Sequence, residues 1–191
     1  MKASKKSISI ALLSAVIHIL MAGFLIEKNN QSDAHQALNP GQKTIYYGIR
    51  HAEKDRTDPG QSDPELTAIG LQRARYWATY FDSIPLTGIY STAYKRTLQT
   101  ILPTAATQEL NPKIYTPSNL ITEDFLSQTK GGVWLISGHS NTIPNTINAL
   151  MKHDSLTDIP DHENSRLYRV VLSNQKISLD IITLPLSQKI E

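Results

Sequence analysis

Two histidines and two arginines stand out as residues able to do chemistry together. Arg50-His51 and Gly138-His139 each follow directly on a short apolar run, and Arg96 lies in Ser91-Thr-Ala-Tyr-Lys-Arg96-Thr97-Leu-Gln99-Thr100. An imidazole can act as a nucleophile or proton carrier near neutral pH. A guanidinium offers a planar fork of donors matched to phosphate oxygens, which lysine cannot imitate. The combination suits transfer or binding of a phosphoryl group. Taken singly, each residue has a plainer use: a histidine at a strand end as a structural group, Arg50 in an ion pair with Glu53, Arg96 as a solvated helix residue. Ser140 and Asn141 open a predicted helix after His139, where exposed amides can hold an anion or the side chains simply cap the helix.

The chain has no cysteine, which removes thiolate nucleophiles, disulfides and Cys-ligated metals in one step. It offers no His-Glu-x-x-His motif and no Walker A loop, so the reading carries no metal and no cofactor. Lys2, Lys5 and Lys6 all precede the first acidic residue, and setting them aside leaves 16 basic against 17 acidic residues. So balanced a body lacks the positive field that a nucleic-acid groove requires, and nucleic acid is set aside as a partner.

Those positions need a scaffold, and the 191-residue length with 40% hydrophobic residues suits one α/β domain. Short apolar runs alternate with helix-period stretches, predicting a three-layer sandwich with a largely parallel central sheet. Thr44–Ile49 reads as the first strand, delivering Arg50 and His51 to its carboxyl end, where ligands bind in open α/β sheets. Leu66–Phe81 reads as a helix with Leu71, Ala74, Trp77, Ala78 and Phe81 inward. Gly88–Ser91 is a short strand. Thr92–Thr107 is a helix with Leu98, Ile101, Leu102 and Ala105 inward and a kink near Pro103. Lys113–Thr116 is a strand, Asn119–Gln128 a helix, and Gly131-Gly132 a turn. Val133–Ser137 is a buried strand leading to His139. Pro144 suits the first turn of a helix carrying Ile143, Ile147, Leu150 and Met151, and Arg166–Leu172 with Lys176–Thr183 form a terminal hairpin.

The N-terminus has a different character. After the three lysines, Ile8–Ile26 runs for 19 residues without an acidic or permanently basic side chain, as a secretory signal or a membrane anchor does. Its length and the lack of a clean Ala-x-Ala site favour an uncleaved anchor, and the positive-inside rule puts the remainder across the membrane. Residues 1–27 are therefore expected to be a signal peptide or anchoring helix, 28–43 a polar linker and 44–191 the folded domain. The expected location is periplasmic, anchored in the inner membrane or secreted.

The motifs resemble those of the histidine phosphatase (phosphoglycerate-mutase-like) superfamily. Arg50-His51-Ala52-Glu53-Lys54 is similar to its RHG-type signature in a bacterial RHAEK form. Asp63-Pro64-Glu65-Leu66-Thr67-Ala68-Ile69-Gly70, with Arg73-Ala74 close behind, resembles its D-P-x-L-T-x-x-G segment. Ser91–Thr100 is similar to its Arg-Thr-x-Gln-Thr stretch, and Gly138–Pro144 to its GHSNTIP form. The resemblance spans Thr44 to Leu172 and implies a mechanism in which His51 attacks phosphorus while a backbone carbonyl holds its other ring nitrogen. Arg50, Arg96 and His139 stabilise the transferring group, and water then hydrolyses the phosphohistidine. Many relatives add a carboxylate that protonates the leaving oxygen. No motif assigns it here; Glu123 is the candidate, with Asp124 and Glu53 as others. The resemblance implies a phosphomonoesterase acting on a phosphorylated small molecule; exported relatives make a cell-envelope phosphosugar one candidate. The alternatives are a phosphoglycerate mutase-type phosphotransferase and a non-catalytic phospholigand-binding module.

Overall fold

A computed structural model describes residues 43–173 and 176–186. The N-terminal segment and, apart from Lys43, the linker expected from the sequence lie outside the described residues, as does the turn between the last two strands. Among the described residues no helix is long and apolar enough to cross a membrane.

The elements run β1 (Thr44–Arg50), α1 (Ala68–Phe81), β2 (Gly88–Ser91), α2 (Lys95–Thr107), β3 (Lys113–Ile114), a 3-10 turn (Pro117–Asn119), α3 (Glu123–Gln128), β4 (Val133–Gly138), α4 (Thr142–Met151), β5 (Arg166–Ser173) and β6 (Lys176–Thr183). They build one six-stranded sheet in the order β3-β2-β4-β1-β5-β6. The first four strands in that order are parallel, and β5 and β6 are antiparallel. The largely parallel sheet expected from the sequence is thus present, with the terminal hairpin as its antiparallel edge.

β1 and β4 are apolar on both faces because both faces are covered. Tyr46, Trp134, Ile136, Tyr168 and Val170 face a core completed by Phe125 of α3 and by Ile143, Ile147 and Leu150 of α4. Tyr47, Ile49, Ile89, Leu135 and Leu167 face a second core with Trp77 and Phe81 of α1 and Ile101 and Ala105 of α2. Two cores on opposite faces of one sheet make the three layers.

Helix faces depart from expectation in two places. On α1, Leu71 is 41% exposed while Arg73 is buried, because Arg73 turns inward to the Glu53 carboxylate. On α2, Leu102 is 49% exposed and Leu98 half-buried, whereas Thr97, Thr100 and Thr104 line the inner side. The reason is visible at Thr100. Its hydroxyl accepts a hydrogen bond from the Ala52 backbone N–H (2.8 Å) and donates to the Arg96 carbonyl oxygen (2.7 Å). The segment after β1 needs polar partners that leucine cannot supply. The helix continues through Pro103 to Thr107. The expected helix Asn119–Gln128 is divided into the 3-10 turn and α3, which starts afresh where the Thr122 hydroxyl accepts from the Phe125 N–H (3.1 Å).

Candidate active site

Adjacent parallel strands place the two histidines side by side. Arg50 is in register with Gly138, and the His51 N–H donates to the Gly138 carbonyl oxygen at 2.9 Å. The two chains leave the sheet together, and the imidazoles of His51 and His139 meet edge to face with centroids 5.7 Å apart. The site lies at the carboxyl ends of the parallel strands, as the α/β architecture requires.

His51 is 3% exposed. Its Nδ1–H donates to the Ala52 carbonyl oxygen at 2.8 Å, a group that can only accept, so the neutral ring carries its lone pair on Nε2. Asn164 pins the same residue from behind, its side-chain amide donating to the His51 carbonyl oxygen at 2.8 Å. Burial drives the imidazole pKa down to about 3, and the charges of Arg50 and Arg96 and the neighbouring His139 add to the effect. His51 is therefore a neutral, oriented base at physiological pH.

Arg50 is also 3% exposed, and its ion-pair partner is not Glu53. Nη1 donates to the carbonyl oxygens of Pro160 (2.8 Å), Asp161 (3.0 Å) and Glu163 (3.2 Å), and Nη2 to Asp161 Oδ1 (2.6 Å). Nε is buried with no partner. The Asp161 carboxylate also meets Arg56 Nη1 at 2.7 Å. Hydrogen bonds from Arg56 and Arg50 hold its pKa down to about 2. Glu53 instead takes a bidentate grip from Arg73, at 2.6 to 2.9 Å, tying the segment after His51 to α1. That helix can come so close because residue 70 is glycine; a Cβ there would lie 2.2 Å from the Glu53 carbonyl oxygen.

Arg96 is not a solvated helix arginine. Its side chain is 12% exposed and lies 4.3 Å over the Tyr94 ring. Nη1 reaches the Ser62 carbonyl oxygen and Asp63 Oδ1, each at 3.4 Å. Nη2 reaches His139 Nδ1, also at 3.4 Å. Its Nε, like that of Arg50, is buried and unpartnered. Two guanidinium groups, each with a buried Nε–H that has no partner, act electrostatically on His51, and such a positive surround suits an anion.

His139 is half-buried. Burial first, then Arg96, Lys54 and Arg50, lower its pKa to about 4 against an opposing pull from Asp63. Its Nε2 meets Thr92 Oγ1 at 3.0 Å. The preceding Gly138 is required by close approach: a Cβ would sit 2.6 Å from Thr142 Oγ1 and 2.8 Å from the Tyr115 hydroxyl. Ser140 and Asn141 precede α4, and Asn141 makes no side-chain capping bond. Thr142, the first residue of α4, reaches back along the chain, its hydroxyl accepting from the His139 N–H at 2.8 Å.

The structure thus brings His51, Arg50, Arg96 and His139 together, with Ser140 and Asn141 beside His139 in the chain. Glu123 does not join them. It is exposed in the first turn of α3, where a carboxylate complements the helix dipole. Asp124 is exposed alongside it and accepts from Gln128 at 2.8 Å. A cavity of about 260 Å³ is lined by Asp55, Asp58, Asp63 and Glu65 with Lys95, an acidic surface unsuited to an anion. Among the described residues no group of three or more His, Asp or Glu is placed to hold a metal ion.

Sequence reasoning assigned no role to Asp161, Lys54, Thr92 or Thr97. Asp161 sits in an irregular loop 111 positions from Arg50 with no local signal. Thr97 stands inside the Ser91–Thr100 motif, and its spacing with Thr100 and Thr104 is the available clue.

A model of the histidine phosphatase superfamily (branch 1) matches residues 46–120. No curated protein matches the chain. Among solved structures, SixA of Agrobacterium tumefaciens, described as a putative phosphohistidine phosphatase, superposes with a TM-score of 0.56 at 21% identity, covering 73% of this chain and 98% of that one. A mycobacterial glucosyl-3-phosphoglycerate phosphatase gives 0.54 at 13% identity over 76% and 100%. The phosphoglycerate mutase of Bacillus anthracis gives 0.54 at 14% identity over 75% and 94%. At these identities the superpositions show a common fold. The family match covers the segment that carries Arg50, His51 and Arg96, and over that segment the chain is similar to the histidine phosphatase superfamily.

Proposed function

We propose that this protein hydrolyses phosphate monoesters by passing the phosphoryl group to Nε2 of His51. The observation that carries this reading is the pairing of a buried His51, held by its Nδ1–H on the Ala52 carbonyl oxygen, with two buried arginine Nε–H donors that have no partner. The first supplies a lone pair without prior loss of a proton. The second supplies fixed positive groups for charge on the transferring oxygens, which is the main task of a protein in phosphoryl transfer. His139 completes the surround, the Ser140 and Asn141 amides are a further anion contact, and water resolves the phosphohistidine. No step needs a metal ion or a cofactor.

The substrate class is a phosphorylated small molecule, with a cell-envelope phosphosugar as the first candidate. That choice rests on the basic N-terminus and the apolar run Ile8–Ile26, which fit export or anchoring. A reporter fused after Glu191 should be active as a periplasmic fusion and silent as a cytoplasmic one; the reverse pattern removes the export reading.

The chemistry is tested by rapid mixing of the full-length protein with a reactive phosphate ester in excess EDTA. Acid-labile, base-stable label should appear on the wild type and vanish in His51→Ala, with turnover reduced by several orders of magnitude, roughly 10⁴-fold or more. Full activity in His51→Ala, or turnover that needs metal and leaves no label, overturns the assignment. Phosphate binding without turnover by the wild type would mark a binding module, and transfer between two acceptors in place of hydrolysis would mark a phosphotransferase.

A further inference from the structure

The two ring nitrogens of His139 keep different company, and the difference fixes where its proton sits. Nε2 is 3.0 Å from Thr92 Oγ1, and Thr92 Oγ1 is 2.9 Å from Thr97 Oγ1. Thr97 Oγ1 in turn lies 2.8 Å from the Tyr94 carbonyl oxygen and 3.0 Å from that of Thr92. Both threonines are buried, at 1% and 0% exposure.

Each hydroxyl has one proton to give. A carbonyl can only accept, and the shortest contact of Thr97 Oγ1 is to the Tyr94 carbonyl oxygen; with its proton there, Thr97 accepts from Thr92. Thr92 has then spent its proton and must accept from the imidazole. In that arrangement the chain runs one way and places Nε2–H on a neutral His139. At the other end, Nδ1 faces Arg96 Nη2 at 3.4 Å, a group that can only donate. Both ends demand the same tautomer, with the lone pair on Nδ1, and Nδ1 is the nitrogen turned to the guanidinium of the site.

We propose that Thr92 and Thr97 are positioning residues that keep Nδ1 of His139 unprotonated towards the phosphoryl pocket, so that His139 takes up the proton of a monoanionic phosphoester and returns it to the leaving oxygen. The step rests on the phosphatase reading, and it balances. The P–OH proton moves to Nδ1, giving an imidazolium beside a dianionic phosphoryl group. As His51 Nε2 bonds to phosphorus, the electron pair of the breaking P–O bond goes to the leaving oxygen, which takes the Nδ1 proton. His139 ends neutral, with Nε2–H still on Thr92. The carboxylates that could have done this work are engaged or distant: Glu53 is gripped by Arg73 and Glu123 is exposed on α3. The groups acting on His139 are Arg96 from α2, Arg50 from β1, Lys54 and the opposing Asp63 from the connecting segments, with the rings of His51 and Tyr94 against it. Burial first, and then a field dominated by cations, keeps the free imidazole neutral, and a bound dianion offsets that field so that it can be protonated.

The test begins with the wild-type spectrum. In uniformly ¹⁵N-labelled full-length protein at neutral pH, the His139 ring, assigned by its loss in His139→Gln, should show protonated Nε2 and bare Nδ1. Saturation with orthovanadate should protonate Nδ1. Thr92→Val keeps the shape but removes the acceptor, and should give a mixed tautomer signal. Its kcat should fall about a hundredfold on glycerol phosphate, whose leaving oxygen needs a proton, and change little on p-nitrophenyl phosphate, whose leaving group does not. Thr92→Ser should restore both readouts. Nδ1–H in the free wild type, or equal losses on the two esters, overturns the proposal. If the wild type hydrolyses neither ester, the phosphatase reading fails and proton transfer with it, while the spectrum still decides whether Thr92 and Thr97 set the tautomer.

Discussion

The carboxyl ends of β1 and β4 lie in register and each presents one imidazole, yet the two are held by different means. At the end of β1 a backbone carbonyl holds the ring itself, and side chains brace the main chain behind it. His51 gives its Nδ1–H to the Ala52 carbonyl oxygen, Ala52 N–H is fixed by Thr100, and neighbouring Arg50 is anchored on three main-chain carbonyl oxygens. At the end of β4, side chains do it: Thr92 and Thr97 on one nitrogen, Arg96 on the other. A main-chain carbonyl cannot be removed by substitution, whereas a hydroxyl or guanidinium can. The direct contact that orients the His51 ring thereby cannot be deleted by a substitution, whereas the contacts of His139 can be altered one side chain at a time.

Arg96→Ala is the largest perturbation of the β4 end that leaves His51 untouched. It deletes an unpartnered buried Nε–H donor and the Nη2 contact to His139. Loss of one preorganised donor to a charged transition state should lower kcat/KM about 10²- to 10³-fold, with phosphate binding weakened as well. Stability should fall by only about 1 kcal/mol, from the long contacts to Asp63 and the stack on Tyr94. Label on His51 should still form, slowly, because its tautomer does not depend on Arg96. Arg96→Lys should not rescue, since an ammonium cannot reproduce the fork. Unchanged kinetics in Arg96→Ala would place Arg96 outside the site and leave the β4 end without its assigned function.

How much of this could be read from residues alone varies with the distance over which partners act. The runs Thr44–Ile49 and Val133–Ser137 were legible as buried strands, and a buried parallel strand delivers the residues after it to the ligand-binding edge. The meeting of His51 with His139, and of both with Arg96, comes from that edge and from the motifs. Helix faces misled where polarity was used inward. Leu71 and Leu102 are turned out because Arg73 must reach Glu53 and because the hydroxyls of Thr97 and Thr100 must serve the backbone near the site. Hydrophobic periodicity cannot see such a requirement, since it counts apolar residues and not unmet donors. Least legible was the loop before β5. Asp161 and Asn164 act on Arg50 and His51 across 111 and 113 positions, in a stretch without periodicity whose apolar residues Leu156 and Ile159 say nothing of those partners.

The smallest expected effect, and the one that weighs the two strand ends against each other most directly, is on stability in mild acid. Both imidazoles are held neutral in the folded protein, with pKa values of about 3 for His51 and about 4 for His139, against about 6.5 in an unfolded chain. Between those limits the unfolded state binds more protons, so stability must rise with pH. The contribution is complete above about pH 6.5 and is lost as the pH falls towards 4 and then 3. Each histidine can add a slope of at most about 1.4 kcal/mol per pH unit; His139, only half-buried, falls short of it. Asp161 does not blur the window, because its depressed pKa of about 2 makes its own contribution change only below the ordinary carboxylate value of about 3.9. Urea unfolding at intervals from pH 7 to pH 4.5 should therefore show falling midpoints at constant m. His51→Asn should flatten the profile more than His139→Asn, because the β1 end is the more deeply desolvated of the two. A wild-type profile that is flat over this range, or a greater flattening from His139→Asn, would show that the backbone-held imidazole is not the more insulated one.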